Sequence, residues 1–361
     1  MASNSFGTLF RYSTWGESHG PALGVVIDGC PAGIPLDEGL INQDLARRAP
    51  GSSPYASPRR EEDRAVLLSG VFAGCSTGAP LSILIENTNA DSSAYDDTAS
   101  LLRPGHAQFT YLRKYGLFDH RGGGRSSARE TAGRVAAGAV ARQLLRGAGI
   151  SAGAFLSQAG EARAPETPAE EALAFASASP VFAPCAEAEQ SFRREIDAAR
   201  EAGDSVGGIV AFVARGVPPG LGDPVYGKLE ALLASAMLSI PASRGFDIGE
   251  GFAAASLRGS AGNDGFTARE GIPVPAGNRA GGVLGGISTG MPVYGRVAFK
   301  PASGILLPQR TVDLKGREAE FRLPARSRHD PCVAVRAVPV VEAMCLLVLA
   351  DLWLLNRSAR A

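Results

Sequence analysis

The chain has 361 residues, enough for one large domain or two of ordinary size. Basic and acidic residues both number 36, and this zero net charge argues against the basic excess of nucleic-acid-binding or membrane-surface proteins. Apolar residues make up 45% and charged residues 20%, as in soluble globular proteins. Residues 1–20 lack a signal or transit pattern, so we expect a cytoplasmic protein with neither a membrane nor a nucleic-acid partner.

The cysteines and histidines differ in where they lie. The five cysteines are far apart and form no CxxC pair, which predicts reduced thiols and no metal site. The four histidines all lie in glycine-rich or charged motifs rather than on apolar faces. Because histidine titrates near neutrality, this distribution favours catalysis over packing.

The first 150 residues alternate strand and helix signals. Predicted strands cover 6–12, 22–28, 66–72 and 81–86, and a predicted helix covers 36–48. Residues 87–120 are polar and predict a loop. Residues 151–200 are rich in alanine and glutamate and contain four prolines, which predicts an exposed, variable excursion.

A triple-glycine turn followed by a helix signal occupies residues 121–143. Ser127 stands three residues before Glu130, a capping-box pattern, and a helix is expected from Ala128 to Gly147. Free N–H groups at the start of a helix attract anions, and here Arg125, Ser126 and Ser127 directly precede the predicted helix. The pattern therefore favours a phosphate or carboxylate site, with a capped helix after a mobile turn as the alternative.

The second half of the chain repeats the first. The segment 16–34 aligns without gaps to 203–221, and 70–80 aligns to 282–292, in the same order. We therefore predict a single α+β domain, residues 1–361, with pseudo-symmetric halves at about 1–150 and 200–361 that share a core. Val206 stands where the first half has His19, so this histidine is better explained by chemistry than by folding.

The segment 16–20 reads GESHG and also fits G-x-S-x-G, the nucleophile elbow of serine hydrolases on Ser18. That motif requires a helix after the serine, whereas Pro21 and a valine-rich strand follow here. A hydrolase remains an alternative with little support.

Further basic and glycine-rich segments are candidates for binding an anionic or flat ligand. Arg103 precedes His106 on a constrained turn. The pairs Arg47-Arg48 and Arg59-Arg60 could clamp an anion or form an exposed charged face. The six glycines of 277–290 would let a flat ligand lie against the backbone, and the lysine segment 300–304 could contact phosphate.

These motifs in this order, GESHG, RPGHA, RGGGRSSARET, AGGVLGGIS, KPAS and RHDPC, closely resemble the chorismate synthase family over essentially the whole length. The resemblance implies conversion of 5-enolpyruvylshikimate 3-phosphate to chorismate by anti-1,4-elimination, a step of the shikimate pathway. It implies reduced FMN as cofactor, NADPH as a possible reductant, a phosphorylated small-molecule substrate and a homotetramer. The implied fold is a β-α-β sandwich with a helical layer between antiparallel sheets.

The resemblance also implies roles for individual residues. His19 would protonate the departing phosphate, His106 would act on the flavin, and Asp330 with Ser18 would relay the proton taken from the substrate. Two histidines with near-neutral pKa values suit such acid work. The implied flavin positions are Arg125, Ser126, Ser127, Pro241, Ala242, Gly285, Lys300, Pro301, Ala302, Ser303, Gly304 and Arg328. The basic candidates for the substrate are Arg47, Arg48, Arg103 and Arg129.

The sequence departs from the family pattern in three motifs. Ala49 and Pro54 stand at arginine positions of the basic loop, and Gln108 stands where the histidine motif has aspartate. Ala302 and Gly304 replace hydroxyl residues of the lysine motif. The lost arginines leave open a non-catalytic flavin- or anion-binding paralogue.

Overall fold

A computed structural model describes residues 4–56, 61–89, 98–323 and 330–359. The strands are β1 Ser5–Phe6, β2 Arg11–Gly16, β3 Ala22–Asp28, β4 Ala65–Ser69, β5 Val71–Phe72, β6 Cys75–Ser76, β7 Leu81–Glu86, β8 Ser151–Ala159, β9 Ala162–Arg163, β10 Gly208–Arg215, β11 Ser243–Ile248, β12 Phe266–Arg269, β13 Ile272–Pro275, β14 Val283–Leu284, β15 Ile287–Ser288, β16 Val293–Phe299, β17 Gln309–Val312 and β18 Glu318–Phe321. The helices are α1 Glu38–Arg48, α2 Gln108–Tyr115, α3 Thr131–Arg146, α4 Ala169–Ala176, α5 Ala186–Glu201, α6 Leu229–Leu238, α7 Gly259–Gly262 and α8 Val333–Asn356.

Two five-stranded sheets, antiparallel throughout, form the frame. The first has the order β1-β2-β3-β7-β4 and the second β11-β16-β10-β8-β9. In the first sheet β3 and β7 are central, with Val25 opposite Ile83 in the register. Alternation along these strands places one face of each on the core, so Val25, Ile27, Ile83 and Ile85 are fully buried.

The long helices pack between the sheets. Helix α3 lies against β2, β3 and β7, while α8 lies against β8, β10 and β16, and the two helices pack on each other. Helices α1 and α6 flank them. The α+β class with antiparallel sheets is thereby confirmed.

The crossing of α3 and α8 is very close. A Cβ at Gly138 of α3 would stand 2.5 Å from the Cβ of Ala343 on α8, so only glycine fits. Helix α8 is long and apolar enough to cross a membrane, but 89% of its most apolar window is buried here. Its composition is that of a central core helix.

The two sheets repeat one arrangement. The strand order β2-β3-β7-β4 in the first corresponds to β8-β10-β16-β11 in the second. Each half also carries a small hairpin, β5-β6 or β14-β15, at the positions that the sequence alignment equates. In both hairpins a serine hydroxyl donates to the carbonyl of a proline, Ser76 to Pro31 at 2.5 Å and Ser288 to Pro218 at 2.6 Å.

Two local expectations were wrong. Residues 151–200 are not an exposed excursion, because β8 pairs with the central strand β10 along its whole length. Phe192 and Ile196 of α5 are fully buried, since the apolar residues recur at helical spacing on one face. Residues 87–120 include helix α2 as well as loop, and the helix ends at Gly116 in the left-handed conformation.

The start of α3 differs in detail from the predicted capping box. A short 3-10 turn over Ala128–Glu130 precedes the helix, which begins at Thr131. The Ser127 hydroxyl accepts from the Arg129 N–H at 3.3 Å. The Glu130 carboxylate accepts a hydrogen bond from Arg134 Nε, one turn further along the helix, at 3.1 Å. It therefore does not reach back to Ser127 as a capping box requires.

Candidate active site

The triple-glycine turn brings both candidate histidines together. All three glycines have positive φ, 65° at Gly122, 90° at Gly123 and 52° at Gly124. A Cβ at Gly122 would stand 2.0 Å from His19 Cε1, and one at Gly123 would stand 3.1 Å from His106 Cε1. The turn therefore needs glycine both for its backbone conformation and for the space that the two imidazoles occupy.

His19 lies in the loop between β2 and β3. Its Nδ1 stands 3.0 Å from the Ser18 hydroxyl, which is only 1% exposed. Asn87 fixes this loop by donating to the carbonyls of Glu17 at 2.9 Å and Gly20 at 2.8 Å. Because the loop joins two strands and the serine is buried, the strand-to-helix context of a nucleophile elbow is missing.

His106 lies on a turn pinned from both halves of the chain. The Arg103 N–H donates to Gln108 Oε1 at 3.0 Å, so the glutamine that departs from the family pattern holds this turn. Lys300 Nζ donates to the carbonyl of Gly105 at 2.7 Å. Burial, with the charges of Arg103 and Lys300, lowers the pKa of His106 to about 3. The expectation of a near-neutral pKa was wrong for this histidine, which is neutral at physiological pH.

The lysine segment 300–304 bridges this turn to the second half. Lys300 N–H donates to the Ala242 carbonyl at 3.0 Å. The Ser205 hydroxyl donates to the carbonyl of Ala302 at 2.7 Å, a bond independent of the side chain at 302. A Cβ at Gly105 would stand 3.2 Å from the Ser303 Cβ.

Next to Ala242 lies a small cavity of about 70 Å³ at the junction of the two halves. Its wall includes Arg48, Ala128 and Thr131 from the first half and Pro241, Ala242, Asp330, Val333 and Arg336 from the second. The starts of α3 and α8 thus meet at this cavity. The sequence predicted Arg48, Pro241, Ala242 and Asp330 as site residues, and the structure brings these four together.

Three buried polar atoms on this wall make no hydrogen bond to the described parts of the chain. They are Arg48 Nε, Arg336 Nε and Asp330 Oδ1. The other carboxylate oxygen of Asp330 accepts from Arg336 Nη1 at 3.3 Å. Buried donors and acceptors are normally satisfied, so three such atoms on residues that line one cavity favour a polar ligand there, and two guanidiniums with one carboxylate favour an anionic one.

Arg336 was missed by the reasoning from sequence. The signal was present, since it is the one cation of a mostly apolar helix whose other charges are two carboxylates, Glu342 and Asp351. A charge in such a stretch needs a partner or a function.

Beneath the cavity, Asp63 binds two arginines. Its carboxylate pairs with Arg48 Nη2 and Arg129 Nη1, and all three side chains are at most 2% exposed. Burial opposes ionisation of Asp63, but Arg48 and Arg129 outweigh it and lower the pKa of its carboxyl. Burial lowers the pKa of Arg48 to about 10, so Arg48 and Asp63 are both charged at neutral pH.

Several predicted site residues are engaged elsewhere. Arg125 donates to Thr14 Oγ1 at 2.7 Å and to the Gly16 carbonyl at 3.2 Å, which ties it to β2. Ser126 Oγ donates to the Gly123 carbonyl at 2.7 Å. Arg47 donates to both oxygens of Glu342, at 2.8 and 3.1 Å, in a network between helices.

The remaining predicted residues add little to the site as described. Gly285 lies at the turn of the β14-β15 hairpin, where a Cβ would meet no atom within 4 Å. Arg328, His329, Arg59 and Arg60 lie outside the described residues. The roles of Arg47, Arg125, Ser126, Ser127 and Gly285 stay predictions. Within the described ranges, no group of three or more His, Cys, Asp or Glu side chains is arranged to hold a metal ion.

The fold thus holds a cavity lined by two arginines and an aspartate and a glycine turn that packs against two histidines, a combination typical of an enzyme acting on an anionic substrate. A family profile described as chorismate synthase matches residues 10–354. Chorismate synthase of Protochlamydia amoebophila is 53% identical over 99% of both chains, and that of Methanosarcina barkeri is 51% identical over 97% of this chain and 96% of its own. A crystal structure of chorismate synthase superposes with a TM-score of 0.78 at 32% identity, covering 98% of this chain and 94% of that one.

The chain belongs to the chorismate synthase family. Its activity is accordingly chorismate synthesis, in the shikimate pathway of aromatic amino acid biosynthesis.

Proposed function

We propose that this chain converts 5-enolpyruvylshikimate 3-phosphate to chorismate and phosphate by anti-1,4-elimination, with the substrate bound at the cavity between the halves. The observation that carries the proposal is the convergence of Arg48 Nε, Arg336 Nε and Asp330 Oδ1 on that cavity. Two unsatisfied guanidinium donors suit an acidic group of the substrate. Its volume of about 70 Å³ suits one such group, with the rest of the substrate extending towards the glycine turn.

The residues around the glycine turn fit FMN, the cofactor of the family. Gly105, Gly122 and Gly123 let Ser303, His19 and His106 pack directly against the backbone of these turns, which gathers polar side chains from both halves of the chain. Lys300 and Ser303 lie beside the His106 turn and would hold the cofactor, as would Pro241 and Ala242. When bound, reduced FMN supplies the electron-rich ring on which the elimination depends, without net redox change.

The proton transfers of the reaction would be carried out by His19, His106 and Asp330. The Ser18 hydroxyl lies 3.0 Å from His19 Nδ1 and would orient the imidazole, whose Nε2 would donate to the leaving phosphate. Asp330, whose Oδ1 makes no hydrogen bond to the described parts of the chain, would relay, with Ser18, the proton taken from the substrate. His106 is neutral before ligands bind, and a bound anion would raise its pKa towards the range of an acid catalyst.

The number of ligands per chain follows from the same site. The cavity needs residues from both halves, and the second half has valine in place of His19, so each chain holds one FMN and one substrate. The repeated strand order and the paired serine hairpins support a duplicated origin of the β-α-β sandwich. We also propose that the chain assembles as a homotetramer, that it is located in the cytoplasm and that NADPH is the reductant of its flavin.

An anaerobic assay with reduced FMN and 5-enolpyruvylshikimate 3-phosphate tests this function. We expect chorismate to form only when both are present. Flavin binding without turnover would indicate the non-catalytic paralogue, and labelling of Ser18 by a fluorophosphonate would indicate the hydrolase.

The assay also tests the cavity. Arg336→Met should raise KM for the substrate at least about tenfold, since a charged contact in a buried site is lost. Arg322→Met is the matched control, because Arg322 is exposed and pairs with Glu320 at 2.6 Å on the surface. Equal effects of the two substitutions would contradict the assignment of the cavity.

A further inference from the structure

We infer that Asp63 is a positioning residue that aligns the substrate cavity with the loop of the acid His19. The inference rests on the proposed function and concerns a side chain that neither the motifs nor the cavity wall would single out. Two arms of contacts carry it, one through Arg48 and one through Arg129.

The first arm fixes Arg48 in the cavity wall. Asp63 Oδ2 binds Arg48 Nη2, and Arg48 Nη1 donates to Thr131 Oγ1 at 3.3 Å and to the Ala128 carbonyl at 3.4 Å. These contacts use the two terminal nitrogens and leave Nε for the ligand. A guanidinium is planar, so fixing both terminal nitrogens also fixes the direction in which Nε–H points.

The second arm reaches the loop of His19. Asp63 Oδ1 binds Arg129 Nη1, and Arg129 Nε donates to Asn87 Oδ1 at 2.9 Å. The amide nitrogen of the same Asn87 holds the carbonyls of Glu17 and Gly20, on either side of His19. Because Arg129 Nη2 also donates to the Glu86 carbonyl at 3.3 Å, all three of its side-chain nitrogens serve this arm.

The charge balance explains why a carboxylate is needed at this position. Arg48 and Arg129 are buried and share one anion, so a neutral residue at 63 would leave two like charges facing each other. The two guanidiniums would then separate, which would turn Arg48 out of the cavity wall and loosen Asn87. Asp63 thus couples the placement of the substrate to that of the acid.

A double-mutant cycle separates this role from a merely structural one. The substitutions Asp63→Asn, Arg48→Met and Asn87→Ala are made singly, and Asp63→Asn is combined with each of the others. Asp63→Asn should raise KM about tenfold or more and also lower kcat. The Asp63→Asn/Arg48→Met enzyme should have a KM only slightly higher than that of Arg48→Met alone. The Asp63→Asn/Asn87→Ala enzyme should have a kcat only slightly lower than that of Asn87→Ala alone.

The control is Asp351→Asn, which removes another buried carboxylate. Asp351 accepts the N–H groups of Thr8, Leu9 and Phe10 at 2.7–2.9 Å and does not line the cavity, so its loss should lower the melting temperature while KM stays near the wild-type value. If Asp63→Asn does not fold, Asp63→Glu takes its place, with the same non-additivity expected at smaller size.

The outcomes distinguish this inference from the proposed function. Substrate affinity is measured by calorimetry as well as by turnover. An inactive wild-type enzyme would overturn the proposed function. An active wild-type enzyme with additive losses in both cycles, or with an unchanged KM in the Asp63 variants, would overturn the role of Asp63 alone.

Discussion

At the scale of single residues, the histidines at the glycine turn differ in what their surroundings allow. His19 has a hydroxyl at 3.0 Å from Nδ1, whereas burial, with the charges of Arg103 and Lys300, lowers the pKa of His106. Sequence alone predicted that both are chemical residues. It could not predict the lowered pKa of His106, because the burial of this imidazole and the approach of Lys300, almost 200 residues away in the chain, arise only in the fold.

Replacement of His19 tests the assignment of the acid. His19→Ala should lower kcat by about 10²–10⁴-fold, the range for a general acid, with little change in substrate affinity. The fold should be retained, since the loop is held by Asn87 rather than by the imidazole. Single-turnover rates and circular dichroism measure the two expectations, and a near-normal rate would remove His19 from the mechanism.

The buried, neutral state of His106 predicts a pH dependence of stability. Between about pH 6.5 and about pH 3 the unfolded chain binds a proton at this residue that the folded chain does not. The free energy of unfolding should therefore fall as the pH falls through this window, by at most about 1.4 kcal/mol per pH unit from this group. Urea unfolding of the ligand-free wild type and of His106→Asn should show a shallower decline in the variant, and parallel curves would contradict the lowered pKa.

At the scale of elements, the strands and long helices were predictable where the periodicity was strong. Helix α1 was expected at 36–48 and spans Glu38–Arg48, with Asp37 capping the N–H of Gly39 at 2.7 Å. Strand β8 was missed because its alanines and glycine carry little β signal, and only its pairing with β10 makes it a strand. The cavity was not predictable as a shape, since it forms only where the starts of α3 and α8 meet.

The close crossing of these two helices gives a stability prediction. Gly138→Ala should lower the free energy of unfolding by about 1–3 kcal/mol, because the new methyl group would overlap Ala343. The matched control is Gly147→Ala at the end of α3, where a Cβ would meet only the Leu144 carbonyl at 3.7 Å. Chemical denaturation of both variants tests this, and equal stabilities would show that the crossing can relax.

At the scale of the whole molecule, two halves with the same strand order contribute different residues to the proposed site. The first half would supply His19, His106 and Arg48, and the second would supply Lys300, Asp330 and Arg336. Because Val206 of the second half stands where the first has His19, we expect one set of catalytic groups per chain. The internal sequence repeat predicts this division of the site between the halves.

The most direct test of the central claim is a crystal structure of the chain with FMN and 5-enolpyruvylshikimate 3-phosphate. We predict one substrate per chain, with an acidic group within hydrogen-bond distance of Arg48 Nε and Arg336 Nε and with His19 facing the phosphate that leaves. A substrate bound elsewhere, with both of these nitrogens still without a partner, would contradict the account, as would two substrates on one chain.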